Sequence, residues 1–129
     1  MDHIANMLVS ILNAAKVSKD KVVIRHSKTC EAIVKILVEE GYCAAYTVNG
    51  DIKKFIVIDL KYTIDGSAVI RNMRRISKPS LRQYKTSENL NDVRNGMGLL
   101  IVSTNKGIMS GRKAKNANLG GEVLVAIDE

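Results

Sequence analysis

The chain has 129 residues, of which 46% are hydrophobic and 4% aromatic, and its formal net charge is +7. The hydrophobic content argues against a disordered chain, and the length suits one domain or two small lobes with a core of Ile, Val, Leu and Met. No apolar run is long enough to span a membrane, and no signal or transit sequence is evident, so we expect a soluble protein that works where it is made.

The cysteines and histidines are few and form no recognisable catalytic or metal-binding pattern. Cys30 and Cys43 are the only cysteines, His3 and His26 are the only histidines, and none lies at metal-ligand spacing from another. We therefore expect reduced thiols in a reducing compartment, structural or solvent-facing histidines, and no metal or other cofactor.

The N-terminal half of the chain begins with two predicted helices and a strand between them. A helix is expected over residues 3–15, because Asp2 is a good N-cap and apolar residues recur at helical spacing after it. A short β-branched strand at 22–24 precedes a second helix, which Ser27 caps and which ends before Gly41.

Two further strands complete the first lobe. Residues 42–48 and 53–62 predict strands, and Asn49-Gly50 between them is a strong signal for a hairpin. Asp65-Gly66 is another turn pair, and the composition changes after it. We therefore predict an N-terminal α-β-α-β-β lobe over residues 1–66.

Residues 67–129 predict a second lobe that is rich in strands. Apolar or alternating segments predict the strands, and Ser110 is the expected N-cap of one short basic helix. The fold class predicted for the whole chain is α+β, with two small lobes. The expected strands of the second lobe are 69–76, 81–85, 99–102 and 123–127, and a polar loop is expected at 86–95.

The positive charge is concentrated in one segment of this second lobe. Residues 71–115 contain 11 Lys and Arg against two acids, whereas residues 1–70 contain 9 Lys and Arg against 8 acids. Arginine contacts phosphate through two nitrogens and stacks on bases, so the segment predicts a nucleic-acid-binding surface. The alternative is a solvated basic surface, and Tyr84 among these cations is either a stacking ring or an ordinary half-buried residue. The basic residues from 71 to 94 are Arg71, Arg74, Arg75, Lys78, Arg82, Lys85 and Arg94.

A compact polar loop is expected at Ser103–Gly107, after a buried strand. Its Ser, Thr and Asn side chains can donate and accept hydrogen bonds, and its glycine lets a partner approach the backbone closely. Such a loop is also typical of a plain structural corner, and it lacks the glycine spacing of a phosphate-binding loop. Glu122 could accept a hydrogen bond from a base or a ribose hydroxyl, or hold a lysine in place. No second titratable group accompanies it, so we expect no acid–base catalysis.

Motifs spread over the whole chain resemble those of one known family. The most specific, by order and spacing, is Ser103-Thr104-Asn105-Lys106-Gly107-Ile108-Met109 followed by Gly120-Gly121-Glu122-Val123-Leu124. With these motifs the chain resembles the bacterial-type small-ribosomal-subunit protein eight family. The other matching segments include Asp2-x-Ile4-Ala5-x-Met7-Leu8, Glu39-Glu40-Gly41-Tyr42, Leu60-Lys61-Tyr62, Arg75-Ile76-Ser77-Lys78-Pro79 and Asn95-Gly96.

This resemblance implies a structural role in the ribosome and no catalysis, cofactor, membrane or small-molecule substrate. The implied fold has two lobes, the second mainly antiparallel β with one short helix. The implied partner is an irregular stem in the central domain of the small-subunit ribosomal RNA, and binding to it aids subunit assembly. Neighbouring ribosomal proteins and, in some relatives, the protein's own messenger RNA are further partners. The implied location is a ribosome, in the bacterial cytoplasm or in an organelle that encodes its own ribosomal proteins.

The resemblance also implies which residues contact RNA. Most of them lie in the second lobe, around the polar loop and on the basic strands. The implied contacts are Ser103, Thr104, Asn105, Lys106, Gly107 and Glu122, then Tyr84, Arg82, Lys85, Lys78, Arg74 and Arg75, with Lys53 and Lys54 in the first lobe.

The chain departs from the family pattern at a few positions. Asn105 stands where Ser is usual, Ser80 stands where Gly usually follows Pro79, and the last residues are Ile127-Asp128-Glu129 where relatives commonly end in an aromatic residue. Two alternative functions stay open: a free RNA-binding regulator or chaperone of the same fold, and a small phosphate-handling enzyme. A protein–protein adaptor is disfavoured by the density of charge.

Overall fold

The computed structural model describes residues 3–90 and 98–128, with only the backbone of Asp128. The expected N-cap Asp2, the cation Arg94 and the Asn95-Gly96 motif lie outside the described residues. Within the described ranges, no helix is both long and apolar enough to cross a membrane.

The chain divides into two compact units, Met1–Arg71 and Asn72–Glu129. The expected division at residue 66 lies slightly earlier in the chain. Residues 67–71 return along the first unit, because the Val69 N–H donates to the Lys61 carbonyl oxygen at 3.0 Å. The basic segment that begins at Arg71 therefore has its first member in the first unit.

The first unit has the α-β-α-β-β order that the sequence predicts. Its elements are α1 His3–Lys16, β1 Lys21–Arg25, α2 Lys28–Glu39, β2 Cys43–Asn49 and β3 Phe55–Leu60. The three strands form an antiparallel sheet in the order β1-β3-β2.

The two helices pack against the sheet face that carries Ile24, Ile56 and Ile58, which are all buried. These helices form because apolar residues recur every three or four positions and so line one side of each. The opposite sheet face is more open, with Val23 60% exposed and Phe55 38% exposed. The helical residues that complete this core are Met7, Leu8 and Ile11 of α1 and Ile33, Val34 and Leu37 of α2.

Ser27 is the N-cap of α2, as the sequence predicts, and its Oγ accepts a hydrogen bond from the Cys30 backbone N–H at 3.1 Å. Cys30 and Cys43 are both buried thiols. Burial raises the pKa of the Cys43 thiol to about 12, so this thiol stays protonated and unreactive at neutral pH.

The hairpin predicted at Asn49-Gly50 is present, but its loop is longer than a two-residue turn. Asn49 at the end of β2 pairs with Phe55 at the start of β3, so residues 50–54 form the loop. Gly50 has a φ of +96°, and a Cβ there would lie 2.4 Å from the Lys53 carbonyl oxygen. The loop backbone thus folds closely over Gly50, and Lys53 and Lys54 lie in the loop rather than in the strand expected at 53–62.

The second unit is a mainly antiparallel sheet with one short helix, which confirms the predicted class. Its elements are β4 Asn72–Arg75, β5 Tyr84–Lys85, a 3-10 turn Ser87–Asn89, β6 Gly98–Thr104, β7 Gly107–Ser110, α3 Gly111–Asn116 and β8 Gly121–Asp128. The strand order is β4-β8-β6-β7, and β5 also pairs with β8.

Two predicted strands in the second unit are shorter in the structure, and one observed strand was not predicted. In place of the strand expected at 69–76 the structure has only the four-residue β4, and in place of the strand expected at 81–85 it has only the two-residue β5. Between them, Lys78 and Leu81 exchange two backbone hydrogen bonds of 3.0 Å across a tight turn, which interrupts the extended backbone. β7, which is four residues long and directly follows a turn, is not among the predicted strands. One buried hydrophobic cluster of this unit consists of Leu90, Val102, Ala114 and Val123.

Replacing Ser27 tests whether its hydrogen bond to the Cys30 N–H stabilises the first unit. Ser27→Ala removes the acceptor for the Cys30 N–H, so we expect the free energy of unfolding to fall by about 1 kcal/mol. Urea denaturation followed by circular dichroism measures it. Lys28→Ala, at an exposed position one residue further on, is the matched control. An equal loss in both variants would contradict the capping role.

Candidate nucleic-acid interface

The polar segment Ser103–Gly107 is the end of one strand, a tight turn and the start of the next strand. β6 continues through Thr104, which pairs with Gly107 of β7, and only Asn105 and Lys106 form the turn. The predicted five-residue loop is therefore wrong in its extent. Ser103 and Thr104 have turn propensity, but their backbone groups are held in the sheet, and tertiary pairing overrides propensity.

The Thr104 hydroxyl closes this turn. Its Oγ1 donates to the Gly107 carbonyl oxygen at 2.8 Å and accepts from the Lys106 backbone N–H at 3.1 Å. Gly107 has a φ of +113°, and a Cβ placed on it would meet no atom within 4 Å. Asn105 and Lys106 are exposed at the tip, and no described residue forms a hydrogen bond with the Asn105 side chain. The turn thus presents an amide and an ammonium group on a fixed backbone.

Cross-strand register brings three of the predicted residues into one row. In β8, Glu122 pairs with Ser103 of β6 on one side and with Tyr84 of β5 on the other. Directly paired residues project from the same face of a sheet. Val102 and Val123, the next residues along, belong to the core around α3, so the row lies on the opposite face.

The close approach of β6 and β8 depends on Gly121. A Cβ at this position would lie 2.1 Å from the Ser103 carbonyl oxygen. Any other residue would push β8 away from β6 at the point where Glu122 and Ser103 pair. Gly121 therefore determines the spacing of the row.

Glu122 is held by hydrogen bonds within the protein. Its Oε2 accepts from the Ser77 hydroxyl at 2.5 Å and from Arg82 Nη1 at 2.9 Å. The Ser77 hydroxyl, which is fully buried, also accepts from the Gln83 backbone N–H at 3.0 Å. The hydrogen bond from Ser77, and then the bond and charge of Arg82, lower the pKa of Glu122 against the opposing effect of desolvation. Glu122 is thus a fixed anion within a basic surface, rather than the partner of a lysine.

Ser77 is a residue of this site that sequence analysis did not select. It stands in the Arg75-Ile76-Ser77-Lys78-Pro79 motif, but a serine in a polar segment carries no sign of complete burial. Its backbone N–H donates to the Val123 carbonyl oxygen at 3.0 Å, and its carbonyl oxygen accepts from Arg75 Nε at 2.5 Å. Ser77 therefore joins the basic segment to β8 through both backbone and side chain.

The remaining predicted cations fall into two groups. Arg74, Lys78 and Lys85 are exposed, whereas Arg75 and Arg82 are held by Ser77 and Glu122. Tyr84 is 69% exposed, which excludes the half-buried packing considered for it. Lys53 and Lys54 belong to the first unit, whereas the other predicted contact residues belong to the second. The predicted RNA contacts are therefore distributed over both units.

Two further serines of the second unit lie at a turn and at a helix cap, and the cap predicted at Ser110 is confirmed. Ser80 follows Pro79 in the turn between Lys78 and Leu81, and it is not among the residues with positive φ, so its β-carbon is accommodated. Ser110 caps α3, with its Oγ accepting from the Lys113 backbone N–H at 3.2 Å. The described part of the chain contains no group of three His, Cys, Asp or Glu residues that could hold a metal ion.

Comparison with known proteins gives consistent matches over nearly the whole chain. A family model described as ribosomal protein S8 matches residues 2–127. The small ribosomal subunit protein uS8 of Pseudomonas fluorescens strain SBW25 is 45% identical over 126 residues, which cover 98% of this chain and 96% of that protein. The proteins of the same name from Alcanivorax borkumensis and Ectopseudomonas mendocina are 44% and 46% identical over the same shares.

The lowered pKa of Glu122 predicts a pH-dependent contribution to stability. Its folded-state pKa lies below the ordinary value of 4.5, so the stabilisation is complete above that value and is lost as the pH falls through the folded-state pKa. Glu122→Gln should lower the free energy of unfolding at pH 7 by about 1–2 kcal/mol, and the difference from the unmodified protein should shrink toward pH 3.

Urea unfolding at pH 7, 5, 4 and 3 measures this difference. Glu88→Gln, at an exposed position in the same unit, is the control and should change stability little at any pH. A Glu122→Gln difference that is the same at pH 7 and pH 3 would contradict the role given to the charge.

Proposed function

The chain belongs to the ribosomal protein S8 family, and from this premise we propose that it binds an irregular stem in the central domain of the small-subunit ribosomal RNA. It is then a structural constituent of the small ribosomal subunit and aids its assembly. The observation that carries the proposal is the row Tyr84–Glu122–Ser103, which ends beside the exposed Asn105-Lys106 turn. An exposed ring, a fixed carboxylate and short polar groups together suit irregular RNA.

The turn contributes contacts that depend on RNA structure. The Asn105 amide is exposed and can both donate and accept, so it meets a base edge or a 2′-hydroxyl. Ser103 offers a hydroxyl in the row, and Glu122 Oε1 has no hydrogen-bond partner among the described residues. These groups need bases that are splayed or distorted, because a regular RNA duplex does not expose its base edges in the same way.

Thr104 has a positioning role in this proposal. Its hydroxyl proton is already donated to Gly107, and its oxygen already accepts from Lys106. The residue therefore shapes the turn that presents Asn105. We accordingly assign the direct contact to Asn105 and Ser103, and the geometry of the turn to Thr104.

The basic residues contribute affinity rather than selectivity. Arg74, Lys78 and Lys85 are exposed and meet phosphates, which are the same in every RNA. Arg75 and Arg82 are oriented by Ser77 and Glu122 before RNA arrives, so less side-chain entropy is lost on binding. With this arrangement the second unit supplies most of the RNA affinity, and Lys53 and Lys54 of the first unit touch neighbouring RNA.

The ribosome is the proposed location, in the bacterial cytoplasm or in an organelle that encodes its own ribosomal proteins. Neighbouring ribosomal proteins are the further partners, and the protein's own messenger RNA is a partner if it contains a similar stem. A free regulator or chaperone of the same fold would use the same surface. The two roles differ in whether the protein stays bound to the subunit.

Two substitutions should separate selective contacts from general affinity. Asn105→Ala should weaken binding to the cognate stem by about 1–3 kcal/mol and leave the salt dependence nearly unchanged, because it removes an uncharged hydrogen-bonding group. Lys85→Ala should weaken binding to all RNAs alike and make the salt slope shallower by up to about one unit.

The measurement is affinity for the cognate stem and for a regular duplex of equal length, across a series of salt concentrations. The regular duplex should bind more weakly to the unmodified protein. Lys35→Ala, an exposed lysine on α2, is the charge-matched control and should have little effect. If Asn105→Ala and Lys85→Ala change affinity and salt slope in the same way, the proposed assignment of selectivity to Asn105 and of general affinity to Lys85 is wrong.

Sedimentation of cell extract should place the protein with small subunits. A constituent of the subunit remains in that fraction when magnesium is lowered enough to dissociate the two subunits. A free regulator would instead be recovered mainly in the soluble fraction, and that result would favour the alternative.

A further inference from the structure

The first unit contains a cleft of about 580 Å³ at the end of its sheet. Clefts that bind small ligands have volumes of about 300–1,000 Å³, which is enough space for one nucleotide base. Three of its six lining side chains are cationic, two are apolar, and none is acidic. The lining residues are Arg25, His26, Ile52, Lys53, Lys54 and Phe55.

The hairpin loop that forms one wall of the cleft is held in place. The His26 backbone N–H donates to the Lys54 carbonyl oxygen at 3.2 Å, which joins the loop to the end of β1. The approach of Gly50 to the Lys53 backbone restricts the loop from the other side. The cleft is therefore formed before a ligand binds.

The cations of the cleft are available to a ligand. Arg25, Lys53 and Lys54 form no ion pair within residues 3–90 and 98–128, whereas Lys21 on the same sheet pairs with Asp59 at 2.7 Å. Glu31 is paired with His26, whose Nε2 lies 2.6 Å from its Oε1. Three cations without an acidic partner on one rim attract an anionic ligand.

An aromatic ring lies directly beside these cations. In the sheet, Phe55 pairs with Arg25 of β1 on one side and with Asn49 of β2 on the other, so the three residues share the open face. Ile52 in the loop is 96% exposed. A cation, a ring and an amide in one row match the phosphate, base and base edge of a single nucleotide.

We propose that this cleft binds an unpaired nucleotide of RNA, with the base stacked on Phe55 and the flanking phosphates on Arg25, Lys53 and Lys54. The inference rests on the proposed function only in taking RNA as the partner. It adds a second contact with its own chemistry, because the turn at Asn105 selects a structured stem and the cleft selects an unpaired base.

The test uses the full chain and an adenosine hexaribonucleotide as probe. Phe55 is the single phenylalanine, so its ring resonances are unambiguous in an NMR titration. The hexamer should shift these resonances whether or not the cognate stem is present at saturating concentration. Phe55→Leu should weaken hexamer binding about five- to one-hundred-fold, and Phe55→Tyr, which keeps the ring, should retain it. Binding of the hexamer to Phe55→Leu and Phe55→Tyr is followed through the amide resonance of Arg25.

Control variants and a competitor make the result decisive. Val23→Ala, on the same open face, and Lys35→Ala, at an exposed lysine that does not line the cleft, should bind the hexamer normally. All Phe55 variants should bind the stem like the unmodified protein. Because the hexamer is measured separately from the stem, the cleft proposal can be tested even if the proposal for the stem is wrong. The inference is overturned if the hexamer leaves the Phe55 ring unshifted, if Phe55→Leu binds as well as Phe55→Tyr, if saturating stem displaces the hexamer, or if a polyglutamate peptide produces the same shifts.

Discussion

The pairing of β8 with its neighbours determines the geometry of the candidate interface. β8 forms hydrogen bonds with β6 along one edge and with β4 and β5 along the other. Glu122 can lie between Ser103 and Tyr84 only in this register, and the register is possible at that point only because residue 121 has no side chain. A shift of one residue would reverse the faces of the whole strand and bury the carboxylate in the core. The position of three residues from three segments thus depends on one strand.

A buried hydroxyl explains how an acidic residue is retained in a basic surface. Ser77 and Arg82 both donate to Glu122, and Ser77 is satisfied in turn by the Gln83 backbone. Removing the acid would leave the Ser77 hydroxyl buried with one fewer partner and would remove one hydrogen-bond acceptor of Arg82. The negative charge therefore organises the surrounding cations, and it reduces their mutual repulsion while no RNA is bound.

Local sequence signals predicted the elements better than they predicted the site. The helices, the caps at Ser27 and Ser110 and the hairpin at Asn49-Gly50 follow from patterns within a few residues. The contact between Ser77 and Glu122 spans 45 positions and depends on strand register. Strand register cannot be predicted from local patterns in a single sequence. The polar run Ser103-Thr104 has the propensity of a loop, which is a local property, whereas the pairing of Ser103 with Glu122 of β8 is long-range. The resemblance to a family points to this segment, and only the structure distinguishes its turn-forming hydroxyl from its exposed amide.

The order of strands along the chain has a consequence for synthesis. The first unit consists of residues that all precede the second, so it can fold while the remainder is still being translated. The second sheet cannot, because β4, β5 and β6 find their common partner only in β8, which is made after all of them. Until β8 has left the ribosome, Tyr84, Ser103 and Glu122 are not aligned, and the nascent chain has its basic residues without the surface that orients them. A partly made chain therefore lacks the aligned surface that the proposed RNA contact requires, and that surface can form only after β8 has been added.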